Sequence, residues 1–243
     1  MREGSKVLTY RAEMEMKWEA EKEYRLTRHR FHELSDDVLI WKMPQFDLSE
    51  RGLADAFDRL KNRRALILDL RGNEGGYVPV LQGLAGYLFD SNVNVGDRRG
   101  RKKFEPVFAR SQKEKSFKGR LVVLIDGASA SAAECIARVV QIEKRGIVIG
   151  DRSSGSVMES LYYRLQVGIE KPLYFGISIT EADVIMADGR SLEHVGVTPD
   201  ELLLPTAQDM SLNLDPVMAR AAALVGIQLD PKKAGELFPI EWK

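Results

Sequence analysis

Residues 121–155 read LVVLIDGASASAAECIARVVQIEKRGIVIGDRSSG, and this stretch decides the fold. Leu121, Val122, Val123, Leu124 and Ile125 form an unbroken apolar run with the length and β-branched content of a buried strand. A turn of small residues follows at 126–131, and then Ile136, Val139 and Val140 recur at helical spacing before a stop at Gly146. A second apolar run, Ile147, Val148 and Ile149, ends at Gly150. A serine on a strand-to-helix turn, among residues too small to cover it, presents its hydroxyl. The N–H groups that open the next helix point to where an oxyanion would form. Ser131 is therefore the candidate nucleophile, with Ser129 two residues upstream as its rival. The same turn also serves as a plain packing solution between strand and helix.

Composition narrows the classes. The 243 residues suffice for one large domain or two small ones; 44% are hydrophobic, 30% charged, and the formal net charge is zero. That balance calls for neither nucleic acid nor an anionic membrane as partner. The lone Cys135 excludes an intrachain disulfide and a cysteine metal cluster, and reads as a small buried hydrophobe. No apolar run reaches the length of a membrane span and no signal peptide is visible. Residues 1–5, MREGS, read as an appended leader, so a longer parent protein is expected.

Outward from the central stretch the alternation continues. Residues 6–40 are charged and irregular, with 7–10 as a candidate strand and Met14, Met16 and Trp18 alternating as in an exposed one. His29 and His32 flank Phe31 without a helical face or third ligand, and so read as solvated histidines rather than a metal pair. Residues 38–43 form the first clear strand, and Ser49 caps an amphipathic helix carrying Leu53, Phe57 and Leu60. Residues 65–70, ALILDL, are a largely apolar strand that runs into Arg71-Gly72-Asn73-Glu74-Gly75-Gly76 and a helix over about 77–89. Residues 90–120 read as a long basic insertion, of the functional-loop kind. Strands are expected at 160–166, 173–180, 183–186 and 202–204, a hairpin turn at 187–190, and helices at 216–225 and 231–237. The order of strands and helices predicts an α/β fold with a mixed, mainly parallel sheet flanked by helices.

The chemistry centres on two turns. Gly72, Gly75 and Gly76 fit neither a dinucleotide fingerprint nor a P-loop, since no Lys-Ser/Thr follows and Glu74 would repel a phosphate. A second N–H donor for an oxyanion at the Ser131 turn suits them better, against the plainer reading of a tight turn. Glu134, one helical turn from Ser131, is either an orienting group or an exposed helix charge. His194 is the one histidine in the C-terminal half, in a segment that looks like a sheet-end turn.

Three separated blocks resemble one family. Residues 69–76, DLRGNEGG, look like its D-L-R-x-N-x-G-G segment, and residues 129–134, SASAAE, resemble its S-A-S-A-S-E nucleophile turn. Asp188-Gly189-Arg190, with Glu193, Gly196-Val197 and Pro199-Asp200, is similar to its D-G-R…E-x-x-G-V-x-P-D block. The family is that of the carboxy-terminal processing (tail-specific) serine peptidases, which includes the tricorn protease core. The resemblance spans about 38–206. It implies a crotonase-like (ClpP/crotonase) core of repeated ββα units, with Ser131 as nucleophile. Ala132 and Gly75 or Gly76 would supply oxyanion N–H groups, supported by Asn73, with no metal and no cofactor. It further implies a peptide or protein substrate, an upstream PDZ domain or homo-oligomer, and an exported or periplasmic setting. Residues 1–37 would be a linker, with the end of a missing PDZ domain in it, and 38–243 the catalytic core.

One departure matters. Lysine-dependent members carry their general base in a G-K-G step, where this chain has Gly155-Ser156-Val157. Ser156 lacks the basicity to take a proton from Ser131. The resemblance is thus to tricorn-type members, whose histidine lies upstream, and Glu193 would orient that base or bind a peptide amino end. The expectation is a serine endopeptidase core whose base lies outside these residues. The rivals are a non-catalytic binding module on the same fold and, more weakly, a thioester-handling enzyme.

Overall fold

The computed structural model describes residues 28–101, 104–168 and 173–238. The strand readings at 7–10 and 14–18 lie outside the described residues. A six-stranded sheet runs β1 (Arg30–Ser35), β2 (Val38–Lys42), β3 (Ala65–Asp69), β6 (Arg120–Ile125), β7 (Ile147–Gly150) and β10 (Glu201–Leu202). Every pairing in it is parallel except β1 with β2. The apolar runs of β2, β3 and β6 are continuous because helices cover both faces. Leu39, Trp41, Leu66, Leu68, Leu121 and Val123 pack with residues of α1 (Glu50–Asp58), α2 (Val78–Leu88) and α3 (Ala132–Ile142). The alternate residues Val38, Ile40, Ala65, Ile67, Val122 and Leu124 pack against α5 (Pro216–Leu224) and α6 (Pro231–Leu237). Each large side chain so buried contributes about 1.5–3 kcal/mol.

A second sheet, β5-β4-β9-β8, is antiparallel: β4 (Val93–Gly100), β5 (Phe104–Ala109), β8 (Glu159–Val167) and β9 (Leu173–Ile185). It corrects the reading of 90–120 as a loop. The period-two signal fails there because a bulge at Asn94/Gly96 shifts the register, with the Gly96 N–H donating to Asn94 Oδ1 (2.7 Å). The strands expected at 173–180 and 183–186 are one continuous β9, and the short helix α4 (Ala207–Ser211) was not expected. The turn at 187–190 closes as a hairpin, with the Met186 N–H donating to the Arg190 carbonyl. At the other end β1 joins the main sheet by pairing antiparallel with β2. Its charged, half-exposed composition is that of an edge strand, which hid it.

One buried ion cluster ties the glycine turn at 71–76 to the scaffold. Asp69, fully buried, takes Lys42 Nζ (3.1 Å) and both Nε (3.0 Å) and a terminal nitrogen (2.9 Å) of Arg71. Arg71 also reaches Asp215, the N-cap of α5, at 3.0 and 2.8 Å. Burial alone would raise the Asp69 carboxyl, but the adjacent Arg71 and Lys42 charges and hydrogen bonds hold it well below the usual carboxylate range. A carboxyl depressed in the folded state adds stability that is complete above its unfolded pKa and fades as pH falls toward the folded one. Urea titrations from about pH 5 down to about pH 2 are therefore expected to show falling stability. Asp69→Asn should flatten that slope by up to about 1.4 kcal/mol per pH unit. An unchanged slope in the variant would show that Asp69 is not ionised in the cluster.

Candidate active site

Three neighbouring parallel strands, β3, β6 and β7, end at the same edge of the sheet, and each releases a loop there. These are the glycine turn 71–76, the serine turn 126–131 and the segment 151–157. Carboxyl-terminal strand ends are where open α/β sheets place their sites. The loops are cross-linked. The Ala130 N–H donates to the Asn73 carbonyl (2.8 Å), the Ser131 N–H to the Ser156 carbonyl (2.9 Å), and the Ser154 N–H to the Ser129 carbonyl (2.9 Å).

Ser131 sits at φ 54°, ψ −118°, a conformation that non-glycine residues rarely adopt, and it opens α3. Such backbone strain costs of order 1–3 kcal/mol and persists where neighbours enforce it. The enforcing neighbour is Glu134. Contrary to the exposed-charge reading, its carboxylate is fully buried. It accepts from the Ser131 N–H (3.0 Å), the Ser156 N–H (2.9 Å), the Gly155 N–H (2.7 Å) and Ser153 Oγ (2.6 Å). One side chain thus locks the serine turn to the 153–156 segment. Ser153, which sequence reasoning missed, also accepts from the Val197 N–H (2.6 Å).

The glycine turn lies directly against Ser131. A Cβ on Gly75 would stand 2.6 Å from Ser131 Cβ and 3.1 Å from the Ala132 nitrogen, so only glycine allows this approach. Asn73, fully buried, donates to the Met43 carbonyl (2.8 Å) and accepts the Gly75 N–H (2.8 Å). The Gly75 amide is therefore occupied. The Gly76 and Ala132 amides donate to no protein acceptor among the described residues.

Ser131, Ala132 and Gly76 line one cavity of about 510 Å³. Its walls are largely apolar: Leu81, Val95, Val107, Val157 and Val184, with Cys135 at the base of α3. Arg98 and Glu159, also lining it, pair at 2.6 Å. Burial, reinforced by the Glu134 charge, pushes the Cys135 thiol up to about 12, which leaves it inert. No histidine or lysine is among the cavity-lining residues.

The remaining candidates fall elsewhere. Ser129 is fully buried and donates to the Leu70 carbonyl (2.9 Å), so it is a structural hydroxyl rather than a rival nucleophile. Ser156 is exposed and its hydroxyl pairs with that of Ser154 (3.1 Å). Glu193 Oε2 accepts the Val157 and Met158 N–H groups (2.8 and 3.2 Å), pinning the strand that leaves the site. The His194 side chain is 90% exposed, with its Nε2 3.8 Å from Glu193. His29 is not solvated: Trp41 Nε1 donates to its Nδ1 (3.2 Å) and its Nε2 meets Asp47 (2.9 Å), so neither nitrogen is left for a metal. Asp126, also unforeseen, accepts from the Gly72 and Ala128 N–H groups (2.9 and 3.1 Å) and squares off the serine turn.

Residues 37–203 match the model of peptidase family S41, and the chain belongs to that family. Its core is similar to the chloroplastic C-terminal processing peptidase of Tetradesmus obliquus, 28% identical over 161 residues, which are 65% of this chain and 31% of that protein. It also resembles the carboxy-terminal-processing protease of Bartonella bacilliformis, 32% identical over 147 residues, or 59% and 31% of the two chains. Among solved structures it superposes on a Parabacteroides merdae protein presented as a peptidase, with a TM-score of 0.66 and 20% identity over 86% of this chain and 70% of that one. That likeness concerns the fold: a largely parallel sheet with flanking helices. The chain spans about a third of the length of the curated relatives it matches.

Proposed function

We propose that this chain is the catalytic core of a serine endopeptidase of the tail-specific kind, with Ser131 as nucleophile. The observation that carries the reading is the strained Ser131 at the start of α3, facing a largely apolar cavity with two undonated backbone amides beside it. In the proposed reaction Ser131 Oγ attacks a peptide carbonyl and its proton passes to a general base. The tetrahedral oxyanion is held by the N–H groups of Ala132 and Gly76, with Gly75 supplying the close approach instead of a donor. Collapse expels the amine, which takes the proton from the base, and water then cleaves the acyl ester by the same route. Asn73 and Glu134 position the two turns. Glu193 acts through the backbone of residues 157–158, which it holds beside the cavity.

Among the described residues that line the cavity there is no histidine or lysine, its carboxylate Glu159 is paired with Arg98, and Ser156 stands where lysine-dependent relatives carry their base. We therefore place the base in polypeptide beyond these 243 residues, as in tricorn-type enzymes, where an upstream PDZ domain also finds its place. The same observation favours the second reading, a peptide-binding module that has lost catalysis. A fluorophosphonate probe separates them. The longer protein should label at Ser131 and lose labelling in Ser131→Ala, while the 243-residue chain should label about 100-fold more slowly or worse. Absence of labelling in the longer protein would overturn the peptidase reading and leave the binding module. Labelling that survives Ser131→Ala would displace the nucleophile.

A further inference from the structure

Beyond the cavity, β8 and β9 continue as a two-stranded arm whose two faces differ in polarity. The register pairs Leu161 with Ile179, Tyr163 with Ile177, Leu165 with Phe175 and Val167 with Leu173. Directly paired residues share a face, so these eight side chains form one apolar surface. The opposite face carries Ser160, Thr180, Tyr162, Ser178, Arg164, Gly176, Gln166 and Tyr174. This is the pattern of a sheet with one face in a core, yet the apolar residues are 39–68% exposed. At the root of the arm, Glu181 accepts the Tyr163 hydroxyl (2.7 Å), which ties down that face's one phenol.

A two-stranded ribbon is marginal by itself, and an exposed apolar patch of this size marks an interaction site. Taking roughly 150–250 Å² for a large side chain, the exposed fractions amount to on the order of 700 Å² per chain. That is close to the ~800 Å² per partner of a standard protein interface. The apolar residues stand in two adjacent rows on one sheet face, the arrangement that packs against a second sheet face. The eight residues bear no charge, so the surface can meet its own copy without repulsion, as a two-fold interface requires.

We infer that the apolar face of the β8–β9 arm is a homodimer interface, two arms packing face to face about a two-fold axis. Sedimentation of the 243-residue chain between about 1 and 100 µM, a range in which interfaces of this size form and dissociate, should show a species of twice the 27.4 kDa monomer mass. Ile177→Glu should weaken association at least about 100-fold. Leu173→Glu, remote from the body of the protein, should do the same, and circular dichroism would confirm that each variant is folded. Tyr162→Glu on the polar face should leave the dimer intact. A monomer at every concentration would overturn the inference, as would a dimer insensitive to both apolar-face changes. So would a monomer that sediments with lipid vesicles or binds only the longer protein's remaining segments.

Discussion

Replacing Glu134 by glutamine is expected to destabilise the chain by about 3 kcal/mol, despite an almost unchanged shape. The carboxylate accepts four hydrogen bonds, two on each oxygen, from three backbone amides and one hydroxyl. A glutamine amide offers one acceptor oxygen, and its NH₂ must face at least one backbone N–H with no acceptor left for it. An orphaned buried donor costs about 1–3 kcal/mol, and the surviving bonds lose their charge assistance. Glu134→Ala should cost about 5 kcal/mol, since the Gly155 and Ser156 amides and the Ser153 hydroxyl lose their acceptor, the Ser131 amide keeps only the Ser156 carbonyl, and a cavity opens. Chemical denaturation of the isolated chain measures both. A loss below about 0.5 kcal/mol in Glu134→Gln, the range of ordinary surface changes, would mean that the buried network is not formed as described.

Gly75→Ala should be equally damaging by a different route. Gly75 has φ +98°, and an added Cβ would sit 2.6 Å from Ser131 Cβ and 3.0 Å from the Ala130 carbonyl oxygen. The strain and the clash together are expected to cost about 3 kcal/mol. Relief must push the glycine turn away from Ser131, carrying the Gly76 amide with it. Displacement of the proposed oxyanion donor by about 1 Å costs on the order of 100-fold in rate, so probe labelling at Ser131 in the longer protein proposed above should fall by that factor. Gly72→Ala is the control. Gly72 also has positive φ, but a Cβ there meets nothing within 4 Å, so only about 1–2 kcal/mol of backbone strain is expected. If both variants label at the wild-type rate, the glycine turn takes no part in the reaction.

What was legible in the sequence was local. The runs 38–43, 65–70 and 121–125 announced strands buried on both faces because helices cover both, and only Lys42 and Asp69, near the ends of the first two, interrupt them. The Asp-Pro pairs at 215–216 and 230–231 marked the starts of α5 and α6 because a capping carboxylate and a fixed φ act within one helical turn. The 90–120 segment misled, since a bulge and the charged run Asp97-Arg98-Arg99 break the alternation that identifies a strand. The role of Glu134 was equally hidden. Three of its donors lie 19 to 22 residues away in a segment that reads as a polar loop.

The Ser131 turn itself was determined by the sequence alone, because a strand, a run of small residues and a helix start are contiguous and need no distant partner. Which residues surround Ser131 was decided only in three dimensions. The parallel adjacency of β3, β6 and β7 brings their loops to one edge, and Asn73 takes the Gly75 amide while Glu134 holds the strained serine in place. The amphipathic alternation of the arm was written in residues 160–180, but its exposure depends on the arm projecting past the core. Hydrophobic period records which face a strand would bury; only packing decides what, if anything, covers it.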